Sequence, residues 1–442
     1  MRAWWCLSVV ACGGAGSQQE PTWSGEIAPL LADRCGACHV EGGPTPFSVT
    51  SYEEALPWAE AIVDATQEGR MPPFFATSSD ECDMQLGFLD DIRLSTSERQ
   101  LLADWVEAGS PEGSRSSAAP APLRTPDHLA DPDRILSLPQ PYEVSGQQDE
   151  YRCFRIELDN TEDRWITGLE VLPDNDAVVH HVLVWNDPGD RSAERVGPDG
   201  SYACSGQPDV WPTELVAAWT PGGSPTRAPV GAGTLFHPGA SLVINVHYHP
   251  TGTSTELDQS RIALTWTDQQ PAQHTTWYLV DLPFGAVSTD GLFEIPAGSE
   301  AHTETVALEV PTYIPWDLPV FAITPHMHYL GTEMLVTLRS PAGGEECLIH
   351  TPNYRFDFQT SYTYDPTSGP LPVVHPGDTI EVRCTYNNSE SNPFLGLQLD
   401  ASGTSSPQDI RWGEETGDEM CMAMVGLIIP PIDWMELAES LF

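Results

Sequence analysis

The chain has 442 residues and a formal net charge of −45 at pH 7, with 64 acidic residues against 19 basic ones, every one of them arginine. That length exceeds a single core and predicts two or three domains. The charge excludes nucleic acid and anionic membranes as partners, and the scattering of acids among Trp, Tyr, Phe and Val excludes a disordered acidic tail.

Residues 1–22 read as a leader and tether. Met1-Arg2 is followed by the mostly apolar run Ala3 to Ala11 and then Cys12, a short secretory signal. Val9-Val10-Ala11-Cys12 has the form of a bacterial lipobox, which predicts a lipid anchor at Cys12. The expected location is therefore outside the cytoplasm: the bacterial cell envelope, as a periplasmic protein or outer-membrane lipoprotein, or the extracellular space. No run of about 18 apolar residues follows, so no transmembrane helix is expected.

Residues 23–112 read as a small all-α domain. Ile27, Leu30 and Leu31 share a helical face, and Pro29 places the helix start close to itself. The pattern ends in Cys35-Gly-Ala-Cys38-His39, the attachment signature of a c-type haem. Cys35 and Cys38 would form the thioethers, and His39 would be the proximal iron ligand. Such an iron commonly takes a Met as sixth ligand. Met71, before Pro72-Pro73, is the first candidate and Met84 its competitor, and the order of CxxCH, helix and Met-Pro loop resembles small cytochrome c domains. Ser51 with Glu54, and Ser95 with Glu98, have capping-box spacing and predict two further helix starts. Pro57 predicts a kink or a first turn, Trp58, Ile62 and Val63 an inner face, and Gly109 a stop. Residues 113–138, rich in Ser, Pro and Ala, read as a linker.

From residue 139 the texture changes to short apolar runs separated by Pro, Gly and Asp turns. Trp165–Val171, Val178–Trp185, Ser241–His247 and Met334–Leu338 are the clearest strands. This predicts two all-β jelly-roll sandwich domains, residues 139–285 and 286–442, divided near 282–295. Outside the leader and CxxCH, the ten cysteines leave Cys82, Cys153, Cys204, Cys347, Cys384 and Cys421. An even set in an exported chain predicts disulfides.

Three His-bearing stretches lie in this region: His180-His181, His247-Tyr-His249, and His326-Met-His328. Imidazoles buried in apolar strands need partners, and repeated ones point to a metal. His326 and His328 share a strand face and can chelate one ion. Adjacent His180 and His181 point to opposite faces unless the strand bulges or one ring uses Nδ1. His247 could complete their site, and His249 reads either as a substitute ligand or as a surface residue. Met420, in Asp418-Glu-Met-Cys421, offers a thioether, which favours copper over zinc. The absence of an HExxH motif argues against a zinc hydrolase. The remaining histidines read as structural.

In order, these motifs resemble the copper type II, ascorbate-dependent monooxygenases over roughly residues 140–430. The resemblance implies two copper ions, one on His180, His181 and His247 for electron transfer. The other, on His326, His328 and Met420, is where oxygen binds and a C–H bond of a small-molecule substrate is hydroxylated. It implies two domains flanking an open cleft, ascorbate or another electron donor, and a Cys384–Cys421 disulfide. Cys153–Cys204 is a further pairing, while Cys82 and Cys347 have no assigned partner. Family members that hydroxylate peptides use an Arg before the HxH pair; Thr324-Pro325 stands here, against a peptide carboxylate as substrate. The haem suggests where electrons enter. The competing reading is a copper-binding or electron-transfer protein without hydroxylase activity.

Overall fold

The computed structural model describes residues 20–41, 45–114, 123, 127–146, 149–204, 206–221, 223–252 and 254–431. The expected leader and the Cys12 anchor lie outside these residues. No described helix is long and apolar enough to cross a membrane. The chain separates into two compact units.

The first unit comprises Met1–Pro72 and Arg93–Thr125. Its four described α-helices are short: Ala28–Arg34, Tyr52–Ala55, Ala59–Gln67 and Thr96–Glu107. The first helical stretch begins earlier than Pro29 suggested, with a π-helical turn Trp23–Ile27 capped by Thr22. Pro29 is then accommodated in the first turn of Ala28–Arg34, where its missing N–H is not needed. Ser51 caps Tyr52–Ala55, and a 3-10 turn Leu56–Trp58 absorbs Pro57 before Ala59–Gln67. Ser95 and Glu98 form the reciprocal capping box expected of them. Trp23, Ile27, Leu31, Ile62, Leu102 and Trp105 make the core.

The second unit comprises Pro73–Ile92 and Pro126–Phe442 and is built mostly of β-sheet. Two five-stranded sheets each pack against part of one ten-stranded sheet. That long sheet is continuous because Gln273–Val280 pairs antiparallel with Met422–Ile429, His274 opposite Ile429 and Val280 opposite Ala423. Sandwich cores form on either side of this seam: Phe154, Ile166, Val182 and Ile244 in one, Val306, Val336, Val382 and Val425 in the other. Pro73–Ile92, placed by the sequence within residues 23–112, groups here with the β-sheets. Phe74 and Phe88 join the second core, with Met84 packed beside them. A Cys82–Cys347 disulfide ties this stretch to the strand Glu345–Thr351, a pairing the sequence left unassigned. Cys153–Cys204 and Cys384–Cys421 are also bonded.

The strand Ser241–Tyr248 is buried along its whole length, which requires cover on both faces. Leu242, Ile244, Val246 and Tyr248 point into the sandwich core, while Val243 points the other way with Trp185, Leu279, Met420, Met422 and Met424. The second face carries the candidate ligands.

Candidate metal centres

The strand Val179–Asp187 pairs with Ser241–Tyr248, and their register explains how two adjacent histidines reach one point. His247 lies opposite His181 and Tyr248 opposite Val179, so His180 is the extra residue of a β-bulge. The bulge turns both rings to the same side. His180 Nδ1 lies 3.2 Å from His181 Nδ1, which lies 3.3 Å from His247 Nδ1. All three residues qualify geometrically as a metal-holding group.

The far side of His247 fixes its tautomer. Its Nε2 donates to Asp149 Oδ2 at 2.9 Å, and a carboxylate only accepts, so the Nδ1 lone pair faces His181. Burial lowers His180 to about 3 and His181 well below its ordinary 6.5, the neighbouring imidazoles adding to the effect. Three converging imidazole Nδ1 atoms are a donor set suited to a cation of the copper type. His249 turns its Nδ1 to Asp149 Oδ1 at 2.7 Å and is half exposed. Burial alone would raise the Asp149 carboxyl, but hydrogen bonds from His247 and His249 outweigh it and hold it below the usual carboxylate range.

The second group stands at the end of the strand Leu318–His326. That strand pairs with Met422–Ile429, His326 opposite Met422 and Thr324 opposite Met424, so these four side chains share a face. Here the rings are turned the other way. His328 Nδ1 donates to the Asp418 carbonyl at 3.0 Å. His326 Nδ1 donates to Gln359 Oε1 at 2.5 Å, and the Gln359 amide is oriented by its Nε2 donating to Phe356 O at 3.0 Å. Both Nε2 lone pairs therefore remain for a ligand. Burial lowers His326 to about 4 and His328 to about 3, so both stay neutral near pH 7. Glu419, fully buried, accepts from the backbone N–H of His328, Leu330 and Met420 at 2.9, 2.6 and 3.3 Å. Burial raises its carboxyl to about 8 against the pull of those bonds. It pins the HxH turn to the segment bearing Met420.

One cavity is lined by His181, His326, His328 and Met420, with Leu183, Leu279, Phe284, Met422 and Met424 among its apolar walls. The open cleft implied by the resemblance is replaced by close approach: the His181 and His326 rings stand 6.5 Å apart. Phe356 stacks on His180 at 5.0 Å, and Thr220 donates to the Gln359 carbonyl, which draws the two faces together.

In the helical unit, Cys35 caps the C-terminus of Ala28–Arg34 and Cys38 lies in the turn that follows; both are free thiols. His39 Nδ1 donates to the Phe47 carbonyl at 3.2 Å, so its Nε2 carries the lone pair. Phe47 stacks on Trp58 at 4.5 Å, and Trp58 with Leu56 stays 39% exposed, an apolar surface beside the motif that suits a flat hydrophobic group. Met71 is half-buried in the same unit.

Sequence reasoning missed Asp149, Tyr151, Gln359, Thr416 and Phe356. None stands beside a His motif, and only strand register and loop packing bring them to it. Glu419 lay in the quoted Met420 stretch, where its burial gave no sequence signal.

Residues 285–427 match the model of the copper type II ascorbate-dependent monooxygenase C-terminal domain. Dopamine beta-hydroxylase of Canis lupus familiaris is 26% identical over 57% of this chain and 40% of its own length. The Equus caballus and Homo sapiens proteins of that name are each 27% identical, over 62% and 56% of this chain and 44% and 41% of their own. The chain thus spans about two fifths of these relatives. Among solved structures, cowpea mosaic virus empty particles align at a TM-score of 0.27 and 8% identity, over 67% of this chain and 88% of the virus chain, too slight a likeness to bear on the fold. Residues 285–427 are thus similar to the C-terminal domain of the copper type II, ascorbate-dependent monooxygenases, and the curated relatives extend a weaker likeness over 56–62% of the chain.

Proposed function

We propose that the β unit is a copper-dependent monooxygenase that uses O2 to hydroxylate a C–H bond of a small organic substrate. The observation that carries this reading is the meeting of two dissimilar donor sets at one apolar cavity. His180, His181 and His247 would hold one copper through Nδ1, and His326, His328 and Met420 the other through Nε2 and the thioether. Copper bound there supplies the one-electron steps that couple O2 reduction to C–H hydroxylation.

The chain's own residues supply orientation, dryness and selection. Leu183, Leu279, Phe284, Met422 and Met424 exclude water from the reacting centre. Among the described residues, Glu414 is the single charged side chain in the lining apart from the candidate ligands, and no arginine is among them. The substrate is accordingly one without a carboxylate. In domain terms the reading takes residues 139–285 and 286–442 as the two copper-binding jelly rolls.

The helical unit, residues 23–112, is proposed as a cytochrome c-like donor. Cys35 and Cys38 would attach haem c, and His39 and Met71 would ligate its iron, so that electrons enter through the haem in place of, or alongside, ascorbate. This reading belongs to an exported chain of the bacterial envelope or beyond, in keeping with the three disulfides among the described residues.

Metal analysis and oxygen uptake test the assignment together. Two coppers and one haem iron per chain are expected, with O2 consumption that depends on a carboxylate-free substrate. Tight copper binding with no substrate-dependent O2 uptake across such substrates would instead favour a copper-handling protein.

A further inference from the structure

Asp149 stands immediately before the strand Glu150–Glu157, with its side chain 21% exposed. Its carboxylate receives three donors, two at the end of the strand Ser241–Tyr248 and one from the segment before Met420. Oδ2 accepts from His247 Nε2 at 2.9 Å and from Thr416 Oγ1 at 2.9 Å; Oδ1 accepts from His249 Nδ1 at 2.7 Å. Two residues on, Tyr151 stacks face to face on His247, with centroids 4.2 Å apart and planes 7° apart, and its hydroxyl lies 3.4 Å from Thr416 Oγ1. His247 is thus held by its edge and by its face. A half-turn of the buried ring would break the Asp149 bond and point a carbon at His181.

We propose that Asp149 is a positioning residue of the three-histidine centre, acting through His247 to keep the proton on Nε2 and the Nδ1 lone pair toward His181. Thr416 fixes the carboxylate, and His249 occupies its second oxygen. A carboxylate behind a ligating imidazole also makes that nitrogen a stronger donor. Thr416 belongs to the segment that leads into Met420, so one carboxylate joins the outer support of this centre to the chain bearing the other centre's sulfur. The inference rests on the reading that His180, His181 and His247 hold copper.

The test uses the full chain loaded with copper alone, in wild type, Asp149→Ala and Asp149→Asn. Cu(I) affinity is read by chelator competition, and the Cu(II) centre by electron paramagnetic resonance. Asp149→Ala is expected to weaken one of the two coppers by about 10–100-fold, to alter its nitrogen hyperfine pattern, and to leave the other copper unchanged. Asp149→Asn keeps an acceptor oxygen for His247 and is expected to rescue most of the affinity while still shifting the spectrum. If Asp149→Ala does not fold, Asp149→Asn decides alone. Unchanged affinity and spectrum in the folded variants overturn the proposal, and so does equal weakening of both coppers, the mark of general loosening. A wild type that binds no copper through these three imidazoles overturns the reading of the centre itself.

Discussion

The two histidine groups use the same side chain in opposite senses. At His180, His181 and His247 the inward nitrogen is Nδ1, and the outer acceptor behind His247 is the charged carboxylate of Asp149. At His326 and His328 the inward nitrogen is Nε2, and the outer acceptors are the neutral Gln359 amide and Asp418 carbonyl. Met420 lines the same cavity as this second pair. A negative acceptor strengthens its imidazole as a donor and favours the higher oxidation state, whereas neutral acceptors and a thioether favour Cu(I). The contrast suits a division of work on the proposed reading: one centre passes electrons and the other meets O2 in its reduced state.

The comparison breaks most visibly at Met420. Met420→Leu is expected to fold, to cost under about 1.5 kcal/mol because the volume is nearly kept, and to abolish oxygen-dependent turnover while the three-histidine copper stays. Oxygen uptake beside a thermal melt checks this; undiminished uptake would make Met420 a packing residue like Met422 and Met424. A smaller but still large effect is expected at Glu419. Glu419→Ala leaves three buried N–H donors without their acceptor and should cost about 3 kcal/mol or more in urea unfolding. A loss near zero would show that the HxH turn holds without this clamp.

Acid sharpens the comparison further. In the metal-free protein His180, His326 and His328 are lowered to about 3, 4 and 3, below the 6.5 of an unfolded imidazole. Between those values the unfolded chain binds more protons, so stability rises with pH there and is lost as pH falls below about 6.5. Glu419, raised to about 8, acts in the opposite sense above its unfolded 4.5. The loss should therefore steepen below about pH 4.5, where Glu419 no longer opposes the imidazoles, and carboxylates held low, such as Asp149, add to it as they protonate. Copper loading should flatten the imidazole part, since bound nitrogens do not take up protons. Denaturant midpoints across pH, with and without copper, measure both slopes. The smallest effect belongs to His249, half exposed and one step removed from the centre. His249→Ala should weaken copper by less than about tenfold, below the range of a direct outer-shell partner; a complete loss would make it a ligand.

How much of this was legible in the sequence depended on how local the cause was. The capping boxes at Ser51 and Ser95 and the apolar runs of the four named strands are set by neighbours in the chain, and helices and strands stand there. The three His stretches were visible as residues. Their geometry was not, because the His180 bulge arises from the register against Ser241–Tyr248. Asp149, Gln359 and Thr416 reach the centres only through tertiary packing. Cys82–Cys347, 265 residues apart, joins a stretch that the sequence assigned to the helical domain to a strand of the β unit, a pairing no spacing rule reveals. The close approach of His181 and His326 likewise depends on Phe356 and Gln359, which carry no motif of their own.

The central claim is that two dissimilar copper centres share one cavity, and X-ray absorption at the copper edge tests it most directly. In the fully reduced, two-copper wild type, one sulfur scatterer per two coppers is expected alongside imidazole nitrogens. The sulfur should vanish in Met420→Leu while the nitrogen shell of the three-histidine centre remains. A wild type with nitrogen scatterers alone, or a sulfur signal that survives Met420→Leu, would contradict the account.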